Sequence, residues 1–159
     1  MSYLLSSDGL DDDAVGAFQR YREYVASAKN RFPARAYALA ASDWYFDPTD
    51  RRCPHDGWLE SLVLVESSAG ERNEIRILSL RVRLLGAYHD GYIELHYPKV
   101  YGYTLTVGDG GRGHRDWRYD ELRVSEEGHL IHEIEWCDLQ DTGRWIIDAS
   151  DIELTWVAK

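Results

Sequence analysis

The stretch HDGYIELHYPKVYGYTLTV (His89–Val107) alternates apolar and polar residues over most of its length and is broken once, at Pro98. A period of two marks a strand with one face on a core. Proline has no N–H to give to a ladder, so a strand that carries one bends, bulges or lies at a sheet edge there. One long strand from Tyr92 to Val107, interrupted at Pro98, is therefore expected. Upstream, Trp58–Glu66 and Asn73–Leu85 read as two strands joined by a turn in SSAGE (Ser67–Gly70 and Glu71). Downstream, Trp117–Ser125 and His129–Asp138 flank SEEG, where Gly128 is free to take the left-handed conformation a short hairpin loop needs. QDTG (Gln140–Gly143) then leads into a last stretch, Arg144–Val157.

Helical period is clear in one place. From Asp11 to Asn30, the residues Ala14, Phe18, Tyr21, Val25 and Ala28 recur at steps of three and four, which builds one apolar stripe. Asp11, Asp12 and Asp13 stand at its start, Lys29 and Arg31 at its far end, and Pro33 is expected to stop it. The alanines of ARAYALAASDWYF (34–46) would suit a helix, but the aromatic run at its end favours a strand. DPTDRRCPHDG (47–57) is a loop on its prolines, glycine and charges. One early helix followed by about seven to nine strands with hairpin-length links makes the class α+β, dominated by β. The helix packs on a mostly antiparallel sheet, curled or two-layered, in a single domain spanning residues 1–159.

Composition sets the partners such a domain can have. The chain is 44% apolar and 13% aromatic, enough for a core of its own, and carries a formal net charge of -10. A field of that sign repels phosphate backbones and anionic lipid, so neither nucleic acid nor a membrane surface is an expected partner. From Asp116 to Lys159 there are twelve acids against four bases, Arg118, Arg123, Arg144 and Lys159. In the final hairpins Glu133, Glu135, Asp151 and Glu153 alternate with Leu130, Ile134, Trp136, Ile152, Leu154 and Trp156, so a sheet with one wet, acidic face is expected, suited to a basic protein partner. Cys53 and Cys137 are too few and too far apart for a zinc site or a disulfide framework, and no cofactor is expected. MSYLLSSDGLDDD lacks the basic start and apolar run of a secretory signal, and no stretch approaches transmembrane length. A cytoplasmic protein with reduced thiols is the expectation.

One phrase is written twice, as HDGWLES (His55–Ser61) and HDGYIEL (His89–Leu95). In each, Asp-Gly before an alternating run is turn chemistry, with Gly57 and Gly91 as the residues able to take positive φ. The chemical alternative is that His55, Asp56, His89 and Asp90 converge as metal ligands, which would make a metal-dependent hydrolase. His132 lies on the apolar side of its strand and reads as a hydrogen-bonded core histidine. Cys53, two residues from His55, is poorly placed for a nucleophile–base pair, and no Gly-x-Ser-x-Gly elbow is present. VGDGGRGHRD (107–116) lacks the order and lysine of a phosphate loop and reads as a hairpin loop, with Arg112, His114 and Arg115 as its charged or reactive members. Arg72, Arg76, Arg81 and Arg83 alternate with aliphatics and should pair with acids across the sheet.

Taken together, CPHDGWLESLVLVE, RILSLRVRLLGAYHDGYIELHYPKVYGY, DELRVSEEGHLIHEIEW and RWIIDASDIELTW resemble a group of small bacterial proteins of unknown function, in which a His-Asp pair opens a strand. The resemblance covers most of the chain from Trp44 onward and implies no catalytic residues. By analogy, related-looking small acidic proteins often act as immunity partners of bacterial toxins or as adaptors. The expected function is thus a non-enzymatic protein-binding module, with the metal-dependent hydrolase as the alternative.

Overall fold

The computed structural model describes residues 2–5, 12–137 and 142–159. Among the described residues, two helices, α1 (Ala14–Ser27) and α2 (Ala34–Ala40), and a 3-10 turn at Trp44–Phe46 precede eight antiparallel strands. These are β1 (Trp58–Ala69), β2 (Ile75–Leu85), β3 (Gly91–Tyr97), β4 (Val100–Leu105), β5 (Asp116–Val124), β6 (Leu130–Cys137), β7 (Thr142–Ala149) and β8 (Glu153–Ala158). The α+β class, dominated by strand, stands as expected.

The strand predicted over 34–46 is instead helix followed by the 3-10 turn. Ala36, Leu39 and Ala40 are buried at helical spacing, and Asp151, from the bend between β7 and β8, caps the helix from outside by accepting the Ala36 N–H at 2.8 Å. Nothing local announces that cap. α1 is also shorter than its apolar stripe. The Asp13 carboxylate accepts the Gly16 N–H at 3.0 Å as its N-cap, and the helix ends at Ala28, so Lys29 and Arg31 lie beyond it. Pro33 then opens α2 rather than closing α1. Asp11, Asp138 and Gln140 fall outside the described residues.

Pro98 does what its missing donor dictates. The predicted strand over 92–107 divides into β3 and β4 on either side of Pro98 and Lys99, and Arg144–Val157 likewise divides into β7 and β8. The two bends hold each other, because the Ser150 N–H donates to the Lys99 carbonyl at 2.8 Å. β3 pairs with β8 while β4 pairs with β7, so the sheet order is β4-β7-β6-β5-β1-β2-β3-β8. Its end strands are thus chain continuations of strands within it, and the sheet rolls. Leu80, Val82, Ile93, Leu95, Ile134 and Ile147 accordingly share one core. The 107–116 loop links strands that do not pair with each other, so it is a crossover and not a hairpin loop.

The seam of the roll lies between β1 and β5, which meet at a single pair, Trp58 and Asp116. Beyond it, α1 takes the place of a strand. The Tyr21 hydroxyl donates to the Leu122 carbonyl at 2.8 Å and accepts the Leu122 N–H at 3.1 Å, and the Tyr24 hydroxyl accepts the Val124 N–H at 2.9 Å. Edge groups that would otherwise be buried without partners are thereby satisfied. A tyrosine hydroxyl suits this position because it both gives and takes a hydrogen bond.

The predicted wet, acidic face holds for Asp151 and Glu153, which stay partly exposed, but not for β6. Glu133 and Glu135 are buried, as is Glu121, which is 0% exposed. Glu121 and Glu133 stand directly opposite one another on β5 and β6, an arrangement that repels unless a cation lies between. Arg123 bonds both, and Arg144 bonds Glu133 at 3.0 Å and Glu135 at 2.6 Å. The second Glu121 oxygen accepts the Tyr3 and Leu4 N–H groups at 2.7 Å each, which pins the start of the chain to β5. The cross-strand pairing expected of the β2 arginines is seen for Arg76 with Glu66 at 3.3 Å and Arg83 with Glu94 at 3.4 Å.

Tyr21→Phe keeps the ring and removes both bonds to Leu122. It is expected to destabilise the fold by about 1–3 kcal/mol, the cost of leaving a buried backbone pair unsatisfied, with the shift read as a lower midpoint in chemical denaturation.

Candidate functional site

The two His-Asp-Gly phrases each open a strand, β1 and β3, but they take different partners. His55 is half-buried with Nδ1 2.8 Å from the Arg118 carbonyl, and Asp56 accepts from the Arg118 guanidinium at 3.0 Å. Asp90 pairs with Arg51 at 3.1 Å, and His89 is exposed with its ring 4.8 Å from that of Trp58. The phrases therefore meet through Trp58. Among the described residues no three His, Cys, Asp or Glu side chains are grouped so as to hold a metal ion.

The glycines work differently from the expectation. Positive φ falls on Asp56 (61°) and His89 (58°), not on Gly57 or Gly91. What the glycines supply is room. A Cβ on Gly91 would lie 2.4 Å from the Trp156 ring, and one on Gly57 would lie 2.8 Å from the Pro54 carbonyl oxygen. The turn chemistry is real, one residue earlier than the glycine in the first phrase and two in the second.

Beneath the first phrase lies a polar network that spacing alone does not reveal. The Asp120 Oδ2 accepts from the Tyr45 hydroxyl at 2.6 Å and from His132 Nε2–H at 2.8 Å, while Oδ1 accepts the Trp117 indole N–H at 3.0 Å. A carboxylate only accepts, so the proton on the His132 ring is at Nε2. In the neutral ring Nδ1 is then the acceptor for the Tyr97 hydroxyl, 2.7 Å away. His132 is 0% exposed, in keeping with a hydrogen-bonded core histidine. Burial, followed by the nearby Asp120 charge, pushes the Tyr45 and Tyr97 hydroxyls well above the usual phenol range, so both keep their protons.

Asp120 was hidden by a β-bulge. Strict alternation would place Trp117 with Tyr119 and Glu121, but the register shifts between Trp117 and Tyr119 opposite Trp136 and Glu135. Asp120 thereby joins Trp117 and Leu122 on the core side, and Glu121 goes to the other.

Asp120 also forms part of the wall of a cavity of about 230 Å³ that opens between α1, the 3-10 turn and β5. Leu4, Phe18, Tyr45, Phe46, Pro48 and Tyr119 make up its apolar lining, and Cys53, His55 and Arg118 complete it. No activated nucleophile stands in this wall. Burial pushes the Cys53 thiol up to about 12, so it remains a thiol at neutral pH, and His132 is enclosed behind Asp120. What the arrangement can do is receive a molecule and accept a hydrogen bond from it.

A second exposed feature lies on the β1–β2 ribbon. β1 pairs with β2 along its length, but from Leu59 to Ala69 its other edge has no strand partner among the described residues. The register puts Val63, Val65, Ile75 and Ile77 on the outer face of the ribbon, and all four are exposed.

Two outcomes follow from the network and the thiol. Asp120→Ala leaves three buried donors without an acceptor and is expected to destabilise the fold by about 3 kcal/mol or more, measured by denaturant unfolding. A thiol held near 12 reacts slowly at pH 8, so alkylation of the folded protein by iodoacetamide, read by peptide mass spectrometry, should label the half-exposed Cys137 well before Cys53. Compared with protein-family models, with curated proteins and with solved structures, the chain gives no match to any of the three, so its own geometry carries the functional argument.

Proposed function

We propose that this chain is a non-enzymatic protein-binding module, and that it holds its partner by adding an extended segment of that partner to the free edge of β1. The observation that carries this is the edge itself. It is a long strand with a row of backbone donors and acceptors on one side, exposed valines and leucine at its centre, and neither proline nor lysine to block pairing. Proteins ordinarily blunt such an edge, and where one is left open it is a template for another strand. Exposed apolar side chains grouped on one ribbon support the same reading.

A basic partner fits the charge of -10 and the exposed Glu60 on the same strand. The burial of Glu121, Glu133 and Glu135 moves the support for that partner away from β5–β7 and onto the net field and β1. An immunity or adaptor role is one form that such binding would take.

Lysines at Val63 and Val65 test the edge without touching the core. The double variant is expected to change stability by no more than about 0.5 kcal/mol per site. Capture of a basic partner should be abolished, and in the wild-type complex the β1 amides should gain protection from hydrogen exchange. Undiminished capture by the variant would overturn the proposal. A wild-type dimer in size-exclusion chromatography that the variant dissolves would assign the edge to a second copy instead.

A further inference from the structure

The cavity beside Asp120 is a separate feature from the β1 edge. We propose that it is a binding site for a small organic ammonium ion with an aromatic or aliphatic body. The first support is the inventory of charge in its wall. Arg118, the cation of the lining, is engaged by Asp56 at 3.0 Å, and His55 Nδ1 is engaged by the Arg118 carbonyl. The Arg118 charge is therefore already balanced by the Asp56 carboxylate before a ligand arrives. Asp120 is the reverse. A carboxylate offers about four acceptor positions, two per oxygen. Tyr45 and His132 take two on Oδ2 and Trp117 takes one on Oδ1, which leaves Oδ1 with capacity for one more donor.

The rest of the wall suits the body and the charge of such a ligand. Phe18 and Phe46 meet edge to face at 5.8 Å, and Phe46 and Tyr45 do so at 4.9 Å, forming an aromatic wall beside the carboxylate. Ring faces attract an ammonium that has left water, and an anion beside them adds to that attraction. The overall charge of -10 raises the local concentration of cations in the same sense. Size follows from volume. An apolar cavity of about 150 Å³ accepts benzene, so by proportion one of this volume takes on the order of nine non-hydrogen atoms.

Phenethylammonium has that size and is the probe, with 2-phenylethanol as its neutral counterpart and phenylacetate as its anionic one. Isothermal titration of the full chain at pH 7 is expected to show saturable binding of phenethylammonium, at least about ten-fold tighter than 2-phenylethanol, and none of phenylacetate. Asp120→Asn should abolish the preference for the ammonium. That variant also disturbs the network, so Phe18→Ala at the cavity wall serves as the second test: it leaves Asp120 in place and is expected to weaken phenethylammonium binding by about five-fold. Absence of saturable binding to the wild type, equal or tighter binding of phenylacetate, or an affinity unchanged by Phe18→Ala would each overturn the assignment.

Discussion

The carboxylate of Asp120 is the constraint on which the rest of the interior depends. One side chain accepts from the 3-10 turn through Tyr45, from β5 through Trp117 and from β6 through His132, and His132 passes the connection to β3 through Tyr97. Four parts of the chain are thereby held at hydrogen-bond distance in a region from which water is largely excluded. Burying a charge is costly unless it is hydrogen-bonded, and here the cost is offset by three donors converging on two oxygens. The same concentration of donors fixes where β5 lies against the helical segment, and therefore where the cavity opens.

The buried charges on the opposite side of β5 follow a related logic with a different result. Glu121, Arg123, Glu133, Arg144 and Glu135 run as an alternating row across β5, β6 and β7. Hydrophobic residues of the same size would often hold such a sheet equally well. What the ions add is register. A slip of one residue would turn apolar side chains such as Leu122 and Ile134 into the row, a slip of two along β5 would put Glu121 where Arg123 stands, and either would withdraw Glu121 from the N–H groups of Tyr3 and Leu4.

Local rules account for what was legible in the sequence. Pro98 lacks an N–H wherever it sits, so the break between β3 and β4 was visible from one residue, as was the left-handed turn at Gly128, where φ is 83°. His132 could be placed in the core because its neighbours at period two are apolar. Long-range partners were not legible. α2 reads as an aromatic-flanked strand until Asp151, more than a hundred residues later, supplies its cap. Asp120 and Glu121 exchanged faces because of a bulge with no glycine or proline to announce it, and Glu133 and Glu135 looked solvated because Arg123 and Arg144 are separated from them in the chain. In the repeated phrase the backbone conformation and the steric demand fall on different residues, and a single sequence does not distinguish the two reasons for keeping a glycine.

The seam between β1 and β5 bears on the order in which the chain assembles. Tyr21 and its partner Leu122 are separated by 101 positions, so α1 leaves the ribosome long before the strand edge it is to cover. Contacts of such span form late, because the loop between them must close first. The β5–β6 and β6–β7 hairpins, whose pairings are local, can form while the helix is still undocked. During that interval β5 presents the same kind of bare edge that β1 keeps permanently, and docking of α1 is the step that removes it. A nascent chain stalled before that step would carry two open edges instead of one, and would be the species most exposed to strand-to-strand association with its own copies.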